Sequence, residues 1–210
     1  MPEITIIDYE VNNLFSVCRA FESMGSQVRI AKDPAAIRSA ERLVLPGVGS
    51  FKNGMERLRK LDLIESIKEY TRSGRPLLGF CLGMQLMAVE SEEFGRHQGL
   101  GLIEGRVVKL PDSRDYKIPH IGWNSIHPLD GDGGWKKSIL QGIPHAADVY
   151  FVHSYFVDIK KQEHILARTS YAGIWFPSVI AVNNIYGCQF HPEKSGNTGL
   201  AIVTNFATRT

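Results

Sequence analysis

Short apolar runs alternate with longer amphipathic stretches through the first half of the chain, and that rhythm predicts strand and helix in turn. Ile4-Thr5-Ile6-Ile7 is apolar and β-branched throughout, which reads as a short buried strand. Asn13 to Met24 then sets Leu14, Val17, Cys18, Phe21 and Met24 on one helical face, closed by Gly25. Gln27 to Ala31 reads as a second strand, and Asp33-Pro34 as the N-cap and first residue of a short helix. Leu43-Val44-Leu45 is a third strand, Met55 to Thr71 a charged amphipathic helix ending near Gly74, and Arg75 to Leu78 another short strand. Met84 to Glu93 is predicted as a helix, Leu102 to Asp158 as shorter β-rich pieces, Ile185 to Phe190 as a buried strand and Gly199 to Ala207 as a closing helix. The whole predicts an α/β chain with an open, mostly parallel sheet, helices on both faces and a small antiparallel extension. No linker or repeat interrupts it, so residues 1–210 are expected to form a single domain.

Candidate chemistry sits where two of these strands end. Gly79-Phe80-Cys81-Leu82-Gly83 has the small-x-nucleophile-x-small form of a nucleophile elbow, with Cys81 in place of serine. Gly79 and Gly83 are expected because a Cβ at either place would crowd so tight a turn. The helix after it would aim free N–H groups at the sulfur and make a thiol of reference pKa about 8.5 easier to ionise. The second strand ends in His191-Pro192-Glu193, a base with a carboxylate that can hold its working tautomer. A buried strand cysteine and a solvated His-x-Glu loop are the bland readings of the two segments taken apart; together they predict a Cys–His–Glu triad. Ligands of such sheets bind beyond the carboxyl ends of the strands, where Pro46–Gly49, Cys81 and His191 all fall.

Gly79 to Gln85 with Gln189-Phe190-His191-Pro192-Glu193 resembles the class I (triad) glutamine amidotransferases, which release ammonia from glutamine. Leu45-Pro46-Gly47-Val48-Gly49-Ser50-Phe51 is similar to that family's oxyanion strand. His120-Ile121-Gly122-Trp123-Asn124 and Tyr150-Phe151-Val152-His153-Ser154-Tyr155 resemble segments of the branch serving imidazole glycerol phosphate synthase. The resemblance runs from Ile4 to about Phe206 and implies a flavodoxin-like fold. It further implies that Cys81, His191 and Glu193 are catalytic, that Leu82 and Gly47, Val48 and Gly49 supply oxyanion donors, and that Gln85, Ser154 and Tyr155 hold glutamine. Asn13, Tyr150 and Lys194 are implied at the face meeting a (βα)8-barrel cyclase subunit in a heterodimer. That partner would use the ammonia to make imidazole glycerol phosphate and aminoimidazole carboxamide ribotide in histidine biosynthesis. No cofactor and no metal are implied. Two other readings stand beside this one: a paralogue feeding ammonia to an aminating enzyme of surface-polysaccharide sugar synthesis, and a cysteine hydrolase acting alone on peptides or other amides.

Composition changes the picture little. With 210 residues, 43% of them hydrophobic, one sizeable core is expected. A formal charge of +2 with scattered basic residues predicts neither a nucleic-acid nor a membrane partner. Cys18, Cys81 and Cys188 are odd in number and widely spaced, so no disulfide or metal pattern fits and a cytoplasmic location is expected. The N-terminus lacks the basic and apolar regions of a signal peptide, and no run reaches the roughly 20 apolar residues that cross a bilayer. Cys18 and Cys188 read as small core hydrophobes, Trp135 as part of a surface loop, and His153 as a core histidine. One departure from the family pattern stands out: where it has Asp-Tyr-Gly-x-Gly-Asn, this chain has Asp8-Tyr9-Glu10-Val11-Asn12-Asn13. Glutamate takes a left-handed backbone less readily than glycine.

Overall fold

The computed structural model of the chain describes residues 2–10, 14–129 and 135–210. Its first half alternates β1 (Ile4–Ile7), α1 (Leu14–Glu22), β2 (Val28–Ala31), α2 (Pro34–Ser39), β3 (Arg42–Leu45), α3 (Phe51–Lys60), α4 (Ile64–Arg72), β4 (Leu77–Phe80) and α5 (Leu82–Leu86). Then come β5 (Ala88–Ser91), β6 (His97–Gln98), β7 (Ile103–Lys109), β8 (His120–Ile126), β9 (Ala147–His153) and β10 (Tyr155–Ile159). The chain closes with β11 (Ile165–Tyr171), β12 (Ile174–Val182), β13 (Ile185–Cys188), a short 3-10 turn at Pro192–Lys194 and α6 (Gly196–Arg209).

Seven strands form the main sheet in the order β11-β12-β13-β4-β3-β1-β2. The five from β13 to β2 are parallel, and β12 and β11 add antiparallel to that edge. The period-2 rule divides their side chains. Ile7, Leu43, Leu45 and Leu77 pack under α2 to α5, whereas Ile4, Ile6, Val44, Leu78 and Phe80 pack under α1 and α6. Both faces are therefore covered, as the apolar strands require. The middle of the chain forms a four-stranded sheet, β10-β7-β5-β6, and a two-stranded one, β8-β9, rather than a single antiparallel extension.

Three predicted elements differ. The helix expected over Met84–Glu93 stops at Leu86, because Ala88, Glu90 and Ser91 pair with Ile103, Arg106 and Val107 of β7. Those long-range backbone bonds override the helical pattern. The helix expected over Met55–Thr71 is two helices that break at Leu61–Leu63. Asp62 takes a left-handed φ of 56° there, the Leu63 N–H bonds the Leu58 carbonyl at 3.0 Å, and Leu63 is fully buried. This is a helix C-cap made without glycine, so no glycine marks it in the sequence. Trp135 is buried rather than on a surface loop, and its indole N–H donates to the Leu166 carbonyl at 2.6 Å.

Asp33 caps α2 as expected, its Oδ1 accepting from the Ala36 N–H at 3.0 Å with Pro34 behind it. Glu10 does adopt a left-handed backbone, with φ of 66°. Its N–H bonds Asp8 Oδ1 at 3.1 Å and its carboxylate pairs with Arg57 at 2.7 Å, which holds the chain where a glycine would otherwise be needed. Asn12 and Asn13 lie outside the described residues.

Candidate active site

Register brings the three motifs to one level. Leu45 of β3 lies opposite Gly79 of β4, and Phe80 of β4 opposite Cys188 of β13. Cys81 and Gln189 therefore leave adjacent strands side by side, with Pro46 leaving the next strand one residue earlier. The Cys81 N–H bonds the Cys188 carbonyl at 2.7 Å, which extends the ladder by one residue.

Cys81 then breaks the strand with φ of 49° and ψ of −108°, a backbone that ordinary L residues avoid. The turn is as tight as the flanking glycines suggest. A Cβ on Gly79 would sit 2.7 Å from the Met84 nitrogen, and one on Gly83 would collide with the Leu45 carbonyl oxygen. On β3's side, a Cβ on Gly47 would meet the Tyr9 hydroxyl at 2.5 Å, and that hydroxyl pins the Pro46 carbonyl at 2.7 Å. Gly49 serves differently, with φ of 101°.

His191 is buried, and its Nδ1 lies 2.8 Å from Glu193 Oε1. The imidazole lines the same cavity as Cys81. Burial pulls its pKa down, but Cys81 and Glu193 outweigh that and push it up to about 10. The His191 N–H bonds the Tyr150 carbonyl at 3.0 Å, and Ser195 Oγ links the His191 carbonyl (2.7 Å) to the Tyr150 N–H (3.0 Å). Tyr150 thus braces the histidine through its backbone, while its ring packs edge-on against exposed Trp123 at 6.0 Å. Lys194 is exposed and shares with His191, Glu193 and Val48 a second cavity of about 20 Å³.

The main cavity, about 320 Å³, is lined by Cys81, His191, Leu82, Val48 and Gly49. Gln85, Ser154 and Tyr155 line it too, together with Val152 and His153. Gln85 Nε2 donates to the Tyr155 carbonyl at 2.7 Å and to Gln189 Oε1 at 3.2 Å, so both its hydrogens are used and Oε1 is the polar atom it can offer a ligand. Glu93 and Phe94 line the cavity as well, and neither is singled out by the sequence motifs. Glu93 is half-buried; burial raises its pKa, while the Phe51 N–H on its Oε2 lowers it. Its signal in the sequence is weak, since finding it requires knowing that the chain after Met87 is a strand rather than helix.

Cys188 is wholly buried and burial pushes its thiol pKa up; Cys18 is half-buried with its pKa raised, first by burial. Neither borders the main cavity. Among the described residues there is no His/Cys/Asp/Glu group able to hold a metal ion, and no helix long and apolar enough to cross a membrane.

The model of the family described as glutamine amidotransferase class-I matches residues 5–210. The imidazole glycerol phosphate synthase subunit HisH 1 of Legionella pneumophila (strain Lens) is 49% identical over 210 residues, covering 98% of this chain and 99% of that protein. Subunit HisH of Syntrophotalea carbinolica is 44% identical over 208 residues, 97% and 98% of the two chains. Among solved structures, the glutaminase domain of Trypanosoma brucei CTPS with bound acivicin superposes with a TM-score of 0.66 at 16% identity, covering 100% and 95%. The PurLQS structure from Thermotoga maritima does so with a TM-score of 0.72 at 15% identity, covering 98% and 97%; both show a shared fold.

Proposed function

The chain belongs to the glutamine amidotransferase class-I family, and from that premise we propose that it is the glutaminase subunit of an imidazole glycerol phosphate synthase. It hydrolyses glutamine to glutamate and ammonia and hands the ammonia to a cyclase subunit. One observation carries this reading: Cys81 and a His191 bonded to Glu193 open on a cavity also lined by Gln85, Ser154 and Tyr155, in a chain aligning over nearly its whole length with a HisH subunit. The surface-sugar paralogue and the stand-alone hydrolase have no comparable support among those relatives.

In this reading Cys81 Sγ attacks the carbon of the glutamine side-chain amide while His191 takes the thiol proton. The raised pKa of His191 suits a proton held between thiolate and carboxylate. Glu193 keeps the other imidazole nitrogen, Nδ1, facing itself. The tetrahedral oxyanion is met by the Leu82 N–H and an N–H of the Gly47-Val48-Gly49 segment. His191 then protonates the leaving nitrogen, ammonia departs, and a γ-glutamyl thioester remains. Water activated by His191 hydrolyses that thioester to glutamate. The zwitterionic end of the substrate needs acceptors for its ammonium group, and Gln85 Oε1 and the Glu93 carboxylate face the same cavity.

Residues 1–210 act as one glutaminase unit, and the ring-closing lyase step belongs to the partner. That partner is a (βα)8 barrel docking on the face that carries Tyr150 and Lys194, with Asn13 in the same interface. The test compares glutamate release by the isolated chain with release in the presence of the cyclase and its ribotide ligand. Aligning one oxyanion donor is worth about two to three orders of magnitude, so activation of at least about 100-fold is expected. Equal rates with and without the partner, or no glutamate at all, would overturn the reading.

A further inference from the structure

A buried row of amide and imidazole groups runs from the two-stranded sheet to the sulfur of Cys81. At the sulfur end, Gln189 Nε2 donates to Cys81 Sγ at 3.9 Å. Gln189 is wholly buried, and its Oε1 accepts from Gln85 Nε2 at 3.2 Å. Gln85 Nε2 also donates to the Tyr155 carbonyl at 2.7 Å. His153 Nδ1 meets that same carbonyl at 3.0 Å, so this nitrogen carries the proton and Nε2 accepts from His120 Nδ1 at 3.1 Å. His120 Nε2 in turn accepts from Asn124 Nδ2 at 3.3 Å. A carbonyl only accepts, so each member of the row has one allowed orientation. Gln85 must present its nitrogen to Tyr155 and Gln189, and Gln189 must present its oxygen to Gln85 and its N–H to the sulfur.

We propose that Gln189 is a positioning residue for the nucleophile, its amide N–H stabilising the Cys81 thiolate, with its orientation fixed through Gln85, the Tyr155 carbonyl and the His153–His120 pair. The proposal rests on Cys81 being the nucleophile. The Val152 carbonyl accepts from Cys81 Sγ at 3.6 Å and so favours the thiol, whereas the Gln189 N–H, together with His191, acts on the thiolate side. The other titratable groups near the sulfur are His191 with Glu193 behind it, Tyr9 from the end of β1, His153 from β9, Tyr155 from β10 and Glu93, whose carboxylate lines the same cavity and opposes the thiolate. Tyr9 is kept neutral, first by burial and then by Cys81 itself, and burial also keeps His153 and His120 neutral. None of these three supplies positive charge to the sulfur.

The test follows alkylation of Cys81 by iodoacetamide in the full chain, from about pH 5 to about pH 10, with the Cys81 peptide quantified by mass spectrometry. In Gln189→Met the pH of half-maximal alkylation should rise by about one unit, and glutamine turnover should fall with KM little changed. Gln85→Met, which leaves Gln189 in place but frees its oxygen end, should shift the midpoint the same way by less. A purely structural role would lower thermal stability without moving the midpoint. If Gln189→Met does not fold, Gln85→Met decides alone. An unmoved midpoint in the folded variants overturns the proposal, even where Cys81→Ala has lost glutaminase activity. Glutaminase persisting in Cys81→Ala would instead sink the reading beneath it.

Discussion

His191 and His153 border the same cavity and both are buried, yet their pKa values move in opposite directions. His153 is held down at about 3, first by burial and then by His120 beside it, with only the Tyr155 carbonyl favouring its charged form. His191 suffers the same burial, but Cys81 and Glu193 raise it to about 10. Removing water favours the neutral imidazole; partners that accept from it favour the cation. Two titratable groups driven apart in this way divide the labour of a site between them. In the proposed reaction His191 moves protons, whereas His153 stays a neutral part of the cavity lining.

The strongest way to break this comparison is to remove one of the partners of His191. Cys81→Ala should reduce glutamine hydrolysis by at least about 10⁴-fold, since members of a triad act as a unit. Synthesis driven by added ammonium salt should survive in the complex, and measuring both activities checks this. Glu193→Gln should cost about 10²- to 10⁴-fold in kcat through loss of the working tautomer. It should also lower the His191 pKa, which an NMR titration of the imidazole would follow; an unchanged pKa would show that Glu193 is not what raises it.

The neutral histidines predict a pH dependence of stability. His120, at about 4, and His153, at about 3, stay unprotonated in the fold while their unfolded counterparts titrate near 6.5. The unfolded chain therefore binds more protons as pH falls below that value, and stability drops by up to about 1.4 kcal/mol per pH unit for each histidine. His191 acts oppositely: its contribution is present below pH 6.5 and is lost as pH rises through about 10. Denaturant unfolding across pH should thus show losses at both ends, and His153→Phe should flatten the acid side. The smallest effect is expected at Lys194. Lys194→Ala should leave the isolated chain's glutaminase rate unchanged and cut activation by the cyclase about fivefold, as removal of one exposed interface charge does.

Legibility followed contact range. The strand ends carrying Cys81 and His191 were readable because local pattern, glycines and the His-Pro-Glu segment all agree, and parallel register does the rest. The glycine-free cap at Asp62 was not readable, because a left-handed aspartate leaves no punctuation in the pattern. Nor was the turn from α5 into β5, which depends on β7 some fifteen residues later in the chain and hid Glu93 from the site. His153 could be read as core, but the whole row through His120, Gln85 and Gln189 joins up only once all three sheets are in place.

The level alignment of β3, β4 and β13 also governs where this chain can change length. One residue added inside β4 or β13 would carry Cys81 or His191 about 3.3 Å along the strand and turn it to the opposite face of the sheet. No repacking of neighbours reverses such a half-turn. The 111–117 segment between β7 and β8, largely exposed, faces no such constraint. Insertions, tags and split points therefore belong in connections of that kind, and deletion scanning of β4 and β13 should find them intolerant at single-residue resolution.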